Sequence, residues 1–223
     1  MVFVDGCGMD DCFDSDSRWI LAKKPIFGYT NKKRHCRRGA NLRQEGFARM
    51  RLFIAIPLPP DITRALSSAR AALEAYGASG RFVPRENYHI TLHFLGETSA
   101  LHDIADAMRE AARDIKPFVL RLCDYGSFKT DGSHTGFVNV RCDSDELDRL
   151  YESLESALWE RGFSKNRSKL TPHITLGRKI EGDEGFVLPA QKAAFTANTL
   201  VLYESRSERG QMQYTPIHKE TLL

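Results

Sequence analysis

"NYHITLHFLG" (residues 87–96) contains a tetrapeptide, His-Ile-Thr-Leu, that occurs a second time in "TPHITLGR" (residues 171–178). Both copies lie in apolar surroundings after turn-forming residues, which is typical of a strand that packs on a core. Because alternate residues of a strand face the same side, His89 and Thr91 share one face while Ile90 faces the core. The pattern therefore predicts two strands, each of which presents an imidazole and a hydroxyl together.

The second copy presents His173 and Thr175 in the same way. An imidazole exchanges a proton near neutral pH, and a hydroxyl donates to phosphate oxygens. In-line displacement at phosphorus needs a base on one side and an acid on the other. Two such pairs facing each other across a groove would supply both, so the repeat predicts a phosphoryl-transfer site. The alternative for either copy alone is an ordinary strand histidine with its hydrogen bonds satisfied.

Arg178 follows the second copy with the wrong strand parity to share the face of His173. Gly177 precedes it, and a glycine inside a strand often marks a bulge that re-aims the next side chain. A bulge at Gly177 would turn the Arg178 guanidinium toward the phosphate.

His93 stands four residues after His89, a spacing that binds zinc on a helix. On a strand the two residues are about 13 Å apart, too far to share a metal ion. We therefore predict neither a metal site nor a cofactor. His93 is predicted at the rim of the groove, where a ribose or base would lie, and His134 is predicted near the groove at the start of a strand.

The sequence has no glycine-rich phosphate loop of the nucleotide-binding classes, which argues against nucleoside-triphosphate chemistry. Six side chains are candidates for stacking on RNA bases, although each also fits simple core or rim packing. They are Arg81, Phe82, Tyr88, Phe94, Tyr125 and Phe128.

The predicted elements follow the order β-α-β-β-α-β-β-α-β-β-β from residue 50 onward. Asp61 is predicted to cap the first helix, residues 99–115 form the second, and Asp143 with Glu146 forms a capping box for the third. Strands neighbour strands through hairpin-like connections, which favours an α+β fold with mostly antiparallel sheets. Each repeated motif follows a helix, and this suggests two related lobes.

Two further boundaries are predicted from turn residues and alternation. Gly96 is expected to end the strand of the first motif. Residues 193–205 are expected to form one strand, which pairs with residues 213–222 in a closing hairpin.

Charge is distributed unevenly along the chain, whose formal net charge is +3. Residues 1–49 carry ten Lys/Arg and six Asp/Glu, whereas residues 50–223 carry 22 and 23, so a nucleic-acid contact in the latter should be local. We predict that residues 50–223 form the folded domain. Residues 1–49 are predicted to be a disordered tail or upstream sequence from a mis-set start codon, and the alternative is a basic RNA-binding arm.

The cysteine pattern points to a reducing compartment. There are five cysteines and no C-x-x-C pair, which argues against a disulfide framework or a zinc ribbon. No stretch approaches the roughly 20 apolar residues of a membrane span, and the acidic N-terminus does not resemble a secretory signal. We therefore predict a cytoplasmic protein without a membrane contact.

The two motifs, about eighty residues apart, resemble those of the two-histidine phosphoesterases. Their surroundings are similar to those of the RNA 2′,3′-cyclic phosphodiesterases, which are also described as 2′-5′ RNA ligase-like proteins. The resemblance covers about residues 50–223 and is carried by "MRLFIAIPLPPDI", "RFVPRENYHITLHFLGE", "PHITLGR" and "LVLYESRSERGQMQYTPIHKETL".

The resemblance implies a bilobal α+β fold, with two pseudo-symmetric lobes, helices outside and a central cleft. It implies hydrolysis of RNA 2′,3′-cyclic phosphate ends to 2′-phosphomonoesters, with His89 as proton donor and His173 as proton acceptor. Thr91 and Thr175 would hold the phosphate oxygens, and no metal is expected. Some relatives join tRNA halves by the reverse reaction, so the expected partner is RNA with such an end, bound by a monomer.

Two alternatives remain open from the sequence. A phosphodiesterase of the same superfamily would act on 2′-5′ oligonucleotides or cyclic nucleotides with the same chemistry. A non-catalytic module would bind RNA ends or nucleotides without turnover, but such a module has no need for a matched acid and base.

Overall fold

The structure is a computed structural model that describes residues 48–130, 133–166, 168–188 and 193–223. All structural statements below concern these residues. The predictions made for residues 1–47 lie outside the described part of the chain.

Three α-helices, nine strands and one short 3₁₀ helix (Arg85–Asn87) make up the described residues. The helices are α1 (Pro60–Tyr76), α2 (Leu101–Ala112) and α3 (Glu146–Glu160). The strands are β1 (Met50–Pro57), β2 (Ser79–Phe82), β3 (His89–Thr98), β4 (Phe118–Thr130), β5 (Ser133–Cys142), β6 (His173–Glu181), β7 (Ala194–Ala197), β8 (Thr199–Glu208) and β9 (Gln211–Thr221).

The strands form two antiparallel sheets, and the predicted α+β class is confirmed. One sheet has the order β3-β1-β8-β9 and the other the order β2-β6-β5-β4-β7. The two motif strands, β3 and β6, belong to different sheets but approach within 8 Å of one another between Cα atoms. The seam between the sheets is therefore where the repeated tetrapeptides meet.

The core explains why each motif presents its histidine outward. The aliphatic residues that alternate with His and Thr are at most 2% exposed: Ile90, Leu92, Ile174 and Leu176. They pack in one apolar cluster with side chains from all three helices, including Leu66, Met108 and Leu150. Burial of each large aliphatic side chain contributes roughly 1.5–3 kcal/mol, so the two motif strands are firmly anchored from behind.

Two predicted helix starts are wrong. α1 begins at Pro60 with Pro59 as its N-cap, and no side chain caps it, because a proline in the first turn has no N–H to satisfy. Asp61 lies in that first turn, where its charge favours the helix dipole. The capping box is not formed at α3, since the Asp143 carboxylate pairs with Arg121 and Arg141 instead.

Two predicted strand boundaries are also wrong. β3 continues past Gly96 to Thr98, because Gly96 accommodates a φ of +73° inside the strand. Residues 193–205 do not form one strand. β7 pairs with β4 in the five-stranded sheet, and β8 pairs with β1 in the other, so the chain changes sheets at Asn198.

Candidate active site

A cavity of about 700 Å³ lies at the seam between the two sheets. All five residues predicted from the sequence line it: His89, Thr91, His173, Thr175 and Arg178. The structure thus brings the two motifs, which are far apart in the chain, to one shared space.

Hydrogen bonds orient both imidazoles in the same way. His89 Nδ1 lies 2.7 Å from the carbonyl oxygen of Asn87, and His173 Nδ1 lies 2.7 Å from that of Thr171. A carbonyl only accepts, so each Nδ1 carries its hydrogen and donates it. In both residues Nε2 is therefore the atom left for proton transfer, as acceptor when the ring is neutral and as donor when it is charged.

The surroundings of His89 hold its ring in place. Phe53 packs against it at 4.9 Å between centroids, and Tyr214 contacts it edge-on at 5.3 Å. Asn87 is itself fixed, because its side-chain amide donates to the carbonyl oxygen of Met212 at 2.7 Å. Thr91 Oγ1 lies 2.9 Å from His89 Nε2, so in the ligand-free protein the hydroxyl and the imidazole of the first motif are hydrogen-bonded to each other.

Two aromatic rings support His173 in a comparable manner. Phe137 lies 5.2 Å and Phe128 5.4 Å from its ring, and these two phenylalanines stack on each other at 4.2 Å. Both catalytic candidates are thus braced by aromatic packing, which limits their rotamers before any ligand binds.

A β-bulge turns Arg178 into the cavity, as expected from Gly177, although the extra residue is Leu176. Gly136 of β5 pairs with Gly177 and Phe137 with Thr175, which leaves Leu176 without a partner and reverses the alternation. A Cβ on Gly177 would lie 2.6 Å from Ile180 Cδ1, so any larger residue there would force the Ile180 side chain to move.

The first motif strand has a bulge at the equivalent position. Ile54 of β1 pairs with His93 and Ala55 pairs with Thr91, so Leu92 is the extra residue. The bulge turns Phe94 into the cavity and His93 into the core. Phe94 therefore occupies on β3 the place that Arg178 occupies on β6.

The predicted position of His93 at the rim is wrong. The residue is 2% exposed and its Nδ1 bonds to Glu155 of α3. Glu155 also accepts from Asn166, through the main-chain N–H at 2.9 Å and the side-chain amide at 3.0 Å. The same amide donates to the carbonyl oxygen of Leu92 at 3.1 Å, so this buried network holds the bulge of β3.

Positive charge dominates the cavity. Its described lining includes Arg51, Arg178 and the two histidines but no carboxylate. Burial lowers the pKa of the His89 imidazole from 6.5 to about 4, and the positive charges of His173 and Arg178 act in the same direction. The hydrogen bond to Asn87 opposes this shift only in part. In the ligand-free protein His89 is therefore neutral near pH 7, and the cavity attracts anions.

His134 does not itself line this cavity, whereas the next residue, Thr135, does. The Nδ1 atom of His134 lies 3.0 Å from Asp183, whose other oxygen accepts from Tyr125 at 2.7 Å. Ligand atoms of His134, Asp183 and Glu184 lie within 4.8 Å of one another. Because Asp183 and His134 already satisfy each other and Tyr125, we interpret the group as a structural hydrogen-bond network.

The stacking candidates divide into two groups. Phe94 and Phe128 line the cavity and are 64% and 42% exposed. Tyr88 is buried, Phe82 packs under Arg70, and Tyr125 bonds to Asp183, so these three have structural roles. Arg81 is exposed on β2 and does not line the cavity.

The sequence analysis missed several cavity residues on the first sheet. Strand alternation in "RLFIAIPL" identifies Arg51 and Phe53. They precede Ala55 by four and two residues, so all three stand on the same face of the strand. The residues missed on this sheet are Arg51, Leu52, Phe53, Gly96, Ser205, Met212 and Tyr214.

Comparisons with known proteins agree with this fold and site. The family model described as "LigT like Phosphoesterase" matches residues 56–137. The RNA 2′,3′-cyclic phosphodiesterase of Escherichia coli is 32% identical, and the match covers 77% of this chain and 96% of the relative. The relative of the same name from Geobacillus stearothermophilus is 30% identical, and its match covers 72% of this chain but only 54% of the relative.

Solved structures show the same likeness. The apo crystal structure of E. coli LigT superposes with a TM-score of 0.68 at 30% identity, covering 79% of this chain and 99% of that one. The same protein has been crystallised in complex with 3′-AMP. The doubled motif and the cleft define a two-histidine phosphoesterase. Within that superfamily, the chain belongs to the LigT-like phosphoesterase family.

None of the helices formed by the described residues has both the length and the apolar character needed to cross a membrane.

Proposed function

We infer that this protein is an RNA 2′,3′-cyclic phosphodiesterase, which hydrolyses the cyclic end of an RNA to a 2′-phosphomonoester. The observation that carries the inference is the convergence of two imidazoles, each held through Nδ1 by a carbonyl oxygen and each followed on its strand by a threonine, on one cavity rich in positive charge. The relatives that bear this name support it.

The reaction follows from the two Nε2 atoms. His173 Nε2 accepts a proton from a water molecule as the water oxygen forms a bond to phosphorus. On the opposite side the bond between phosphorus and the 3′ oxygen breaks, and His89 Nε2–H donates its proton to that oxygen. The product carries the phosphate on the 2′ oxygen. Solvent then removes the proton from His173 and returns one to His89.

The neighbouring groups stabilise the phosphate. Thr91 and Thr175 donate their hydroxyl hydrogens to the non-bridging oxygens, and the Arg178 guanidinium balances the negative charge that develops on them. The exposed rings of Phe94 and Phe128 offer faces on which the terminal base can stack. All of these groups belong to the protein, so the proposed chemistry needs no metal.

The proposed donor role of His89 requires that substrate binding changes its protonation. Without ligand its pKa is about 4, so the imidazolium is scarce at neutral pH. A bound phosphate anion beside the ring favours the charged form and raises the pKa. Substrate binding would thereby favour the protonated form of His89, which is the acid that the cleavage requires.

This yields a pH-dependence that NMR can measure. We expect the His89 resonances to titrate near pH 4 in the free protein and at higher pH with saturating inorganic phosphate. The resonances of His102, which is exposed on α2 outside the cavity, should not respond to phosphate. A His89 titration that stays unchanged with phosphate bound would argue that the two histidines have the opposite roles.

The activity itself is tested with a short RNA that ends in a 2′,3′-cyclic phosphate. We expect a single product with a 2′-phosphomonoester, identified by ³¹P NMR, and a rate that EDTA does not change. Faster turnover of a 2′-5′-linked oligonucleotide or of a cyclic mononucleotide would favour the alternative substrates. Binding of the RNA without any product would instead identify a non-catalytic module.

We further propose where and on what the enzyme acts. Residues 50–223 would carry the activity, as a monomer in the cytoplasm, consistent with the free thiols of Cys123 and Cys142. With the 5′-hydroxyl of a second RNA in place of water, His173 would accept the proton of that hydroxyl and His89 would again protonate the departing 3′ oxygen, which would join tRNA halves through a 2′-5′ bond.

A further inference from the structure

Arg51 lies in the cavity but has no role in the chemistry described above. It is exposed, it lines the same space as both histidines, and its guanidinium has no hydrogen bond or salt bridge with the described residues. The groups that lower the pKa of His89 include His173 and Arg178 but not Arg51. Arg51 also stands four residues before Ala55, the partner of Thr91, so its main chain lies away from the first motif.

The neighbours of Arg51 leave space for a ligand. Leu52 pairs with Gly96 of β3 and with Glu204 of β8, which brings Gly96 and Ser205 to the cavity on either side of Arg51. A Cβ on Gly96 would meet nothing within 4 Å, so the space above that strand is open. Arg51 itself pairs with Glu97 of β3, with the open space above Gly96 beside that pair, and on the β8 side Ser205 offers a small hydroxyl.

The separation between Arg51 and the catalytic groups suits a chain of nucleotides. Ala55 pairs with Thr91, and Arg51 is four residues before Ala55, a distance of about 13 Å along the strand. Phe53 pairs with Phe94 between these two points, and the exposed Phe94 ring faces the cavity there. A ribose and a base therefore fit between a phosphate at Thr91 and a second anion at Arg51.

We propose that Arg51 and Ser205 form a second phosphate subsite, which binds a backbone phosphodiester of the RNA upstream of its cyclic end. The inference rests on the proposed function and extends it to the substrate class, an oligonucleotide instead of a mononucleotide. Arginine suits this task because its planar guanidinium donates two parallel hydrogen bonds to phosphate oxygens. The serine hydroxyl supplies a further donor.

The test varies the charge of the upstream phosphates while the cyclic end stays the same. One substrate is a trinucleotide that ends in a 2′,3′-cyclic phosphate, and the other is the same molecule with neutral methylphosphonate linkages. For the wild type we expect kcat/KM on the charged substrate to be about 10- to 100-fold higher, the range of a charge-assisted hydrogen bond. In Arg51→Ala the ratio of kcat/KM on the charged substrate to kcat/KM on the neutral substrate should lie within about threefold of one.

Two further variants test whether the geometry of Arg51 matters and whether the loss of any positive charge would have the same effect. Arg51→Lys keeps the charge but loses the bidentate geometry, so its ratio should lie between those of the wild type and Arg51→Ala. Arg64→Ala removes an equal charge from an exposed position on α1 outside the cavity lining, and it should keep the wild-type ratio. The slope of log kcat/KM against log salt should be shallower in Arg51→Ala by about 0.7, the value for one phosphate contact on a single strand.

The outcomes separate this inference from the proposed function. If the enzyme hydrolyses both trinucleotides and Arg51→Ala retains the wild-type ratio, the second subsite is wrong and the cyclic phosphodiesterase activity stands. If the wild type hydrolyses neither substrate, the proposed function itself fails, and the subsite fails with it.

Discussion

Removing either motif histidine is expected to lower kcat on a cyclic-phosphate RNA by about 10²- to 10⁴-fold, the usual contribution of a general acid or base. His89→Ala removes the proton donor and His173→Ala the acceptor. Because the two act in one transition state, the double variant should be little slower than either single variant. Single-turnover measurements at saturating RNA isolate this effect from substrate binding.

His102→Ala is the matched control. His102 is exposed on α2, where it pairs only with Asp106 one turn away, so its loss should leave kcat within about twofold. A single motif variant that retained more than a tenth of the wild-type rate would contradict the proposed mechanism.

The separate roles of the two histidines can be tested with a modified leaving group. A substrate in which sulfur replaces the bridging 3′ oxygen leaves as a thiolate, which needs far less protonation because a thiol has a pKa near 8.5. On this substrate the loss of kcat caused by His89→Ala should be at least about tenfold smaller than on the oxygen substrate. The loss caused by His173→Ala should be the same on both substrates. The opposite pattern would exchange the two roles.

Glu155→Ala is expected to have the largest effect on stability, about 3–5 kcal/mol in the free energy of unfolding. Glu155 is 8% exposed and accepts hydrogen bonds from His93 and from both the main chain and side chain of Asn166. Its removal leaves the buried His93 imidazole and the main-chain N–H of Asn166 without this acceptor. For a chain of this size the change corresponds to a loss of roughly 6–20 °C in Tm.

Urea denaturation monitored by circular dichroism measures this change. Glu152→Ala is the control, since Glu152 is exposed on the same helix and should change stability by less than about 0.5 kcal/mol. A double-mutant cycle with His93→Ala should show that the two losses are not additive, because the residues share one hydrogen bond. Equal effects of Glu155→Ala and Glu152→Ala would show that the buried network contributes nothing to stability.

Predictions from the sequence succeed where a property depends only on neighbouring residues. Strand alternation correctly separates the buried Ile90 and Ile174 from the histidines and threonines beside them. It fails immediately after each threonine. One extra residue in each strand reverses the alternation there, which moves His93 into the core and Phe94 into the cavity. In the second motif Gly177 signals the bulge, but in the first the equivalent residue is His93, which gives no such signal.

The strand predicted over residues 193–205 fails for a related reason. Most of its residues from Phe195 onward favour strands, and the single asparagine at 198 is too weak a turn signal to mark a boundary. The break arises because β7 pairs with β4 whereas β8 pairs with β1, and β4 and β1 belong to different sheets. The predicted capping box at Asp143 fails because Arg121, which is distant in the chain, takes the carboxylate.

The amino-acid sequence by itself determined the pairs of imidazole and hydroxyl, the faces on which they stand and the family to which they belong. Only the tertiary structure decided that the pairs share their cavity with Arg51, that Leu176 is the bulged residue of β6, and that Glu155 holds the bulge of β3. The reason is physical. The direction of a side chain on a regular strand follows from backbone geometry within a few residues, whereas strand register, bulges and buried hydrogen bonds between side chains depend on partners that are distant in the chain.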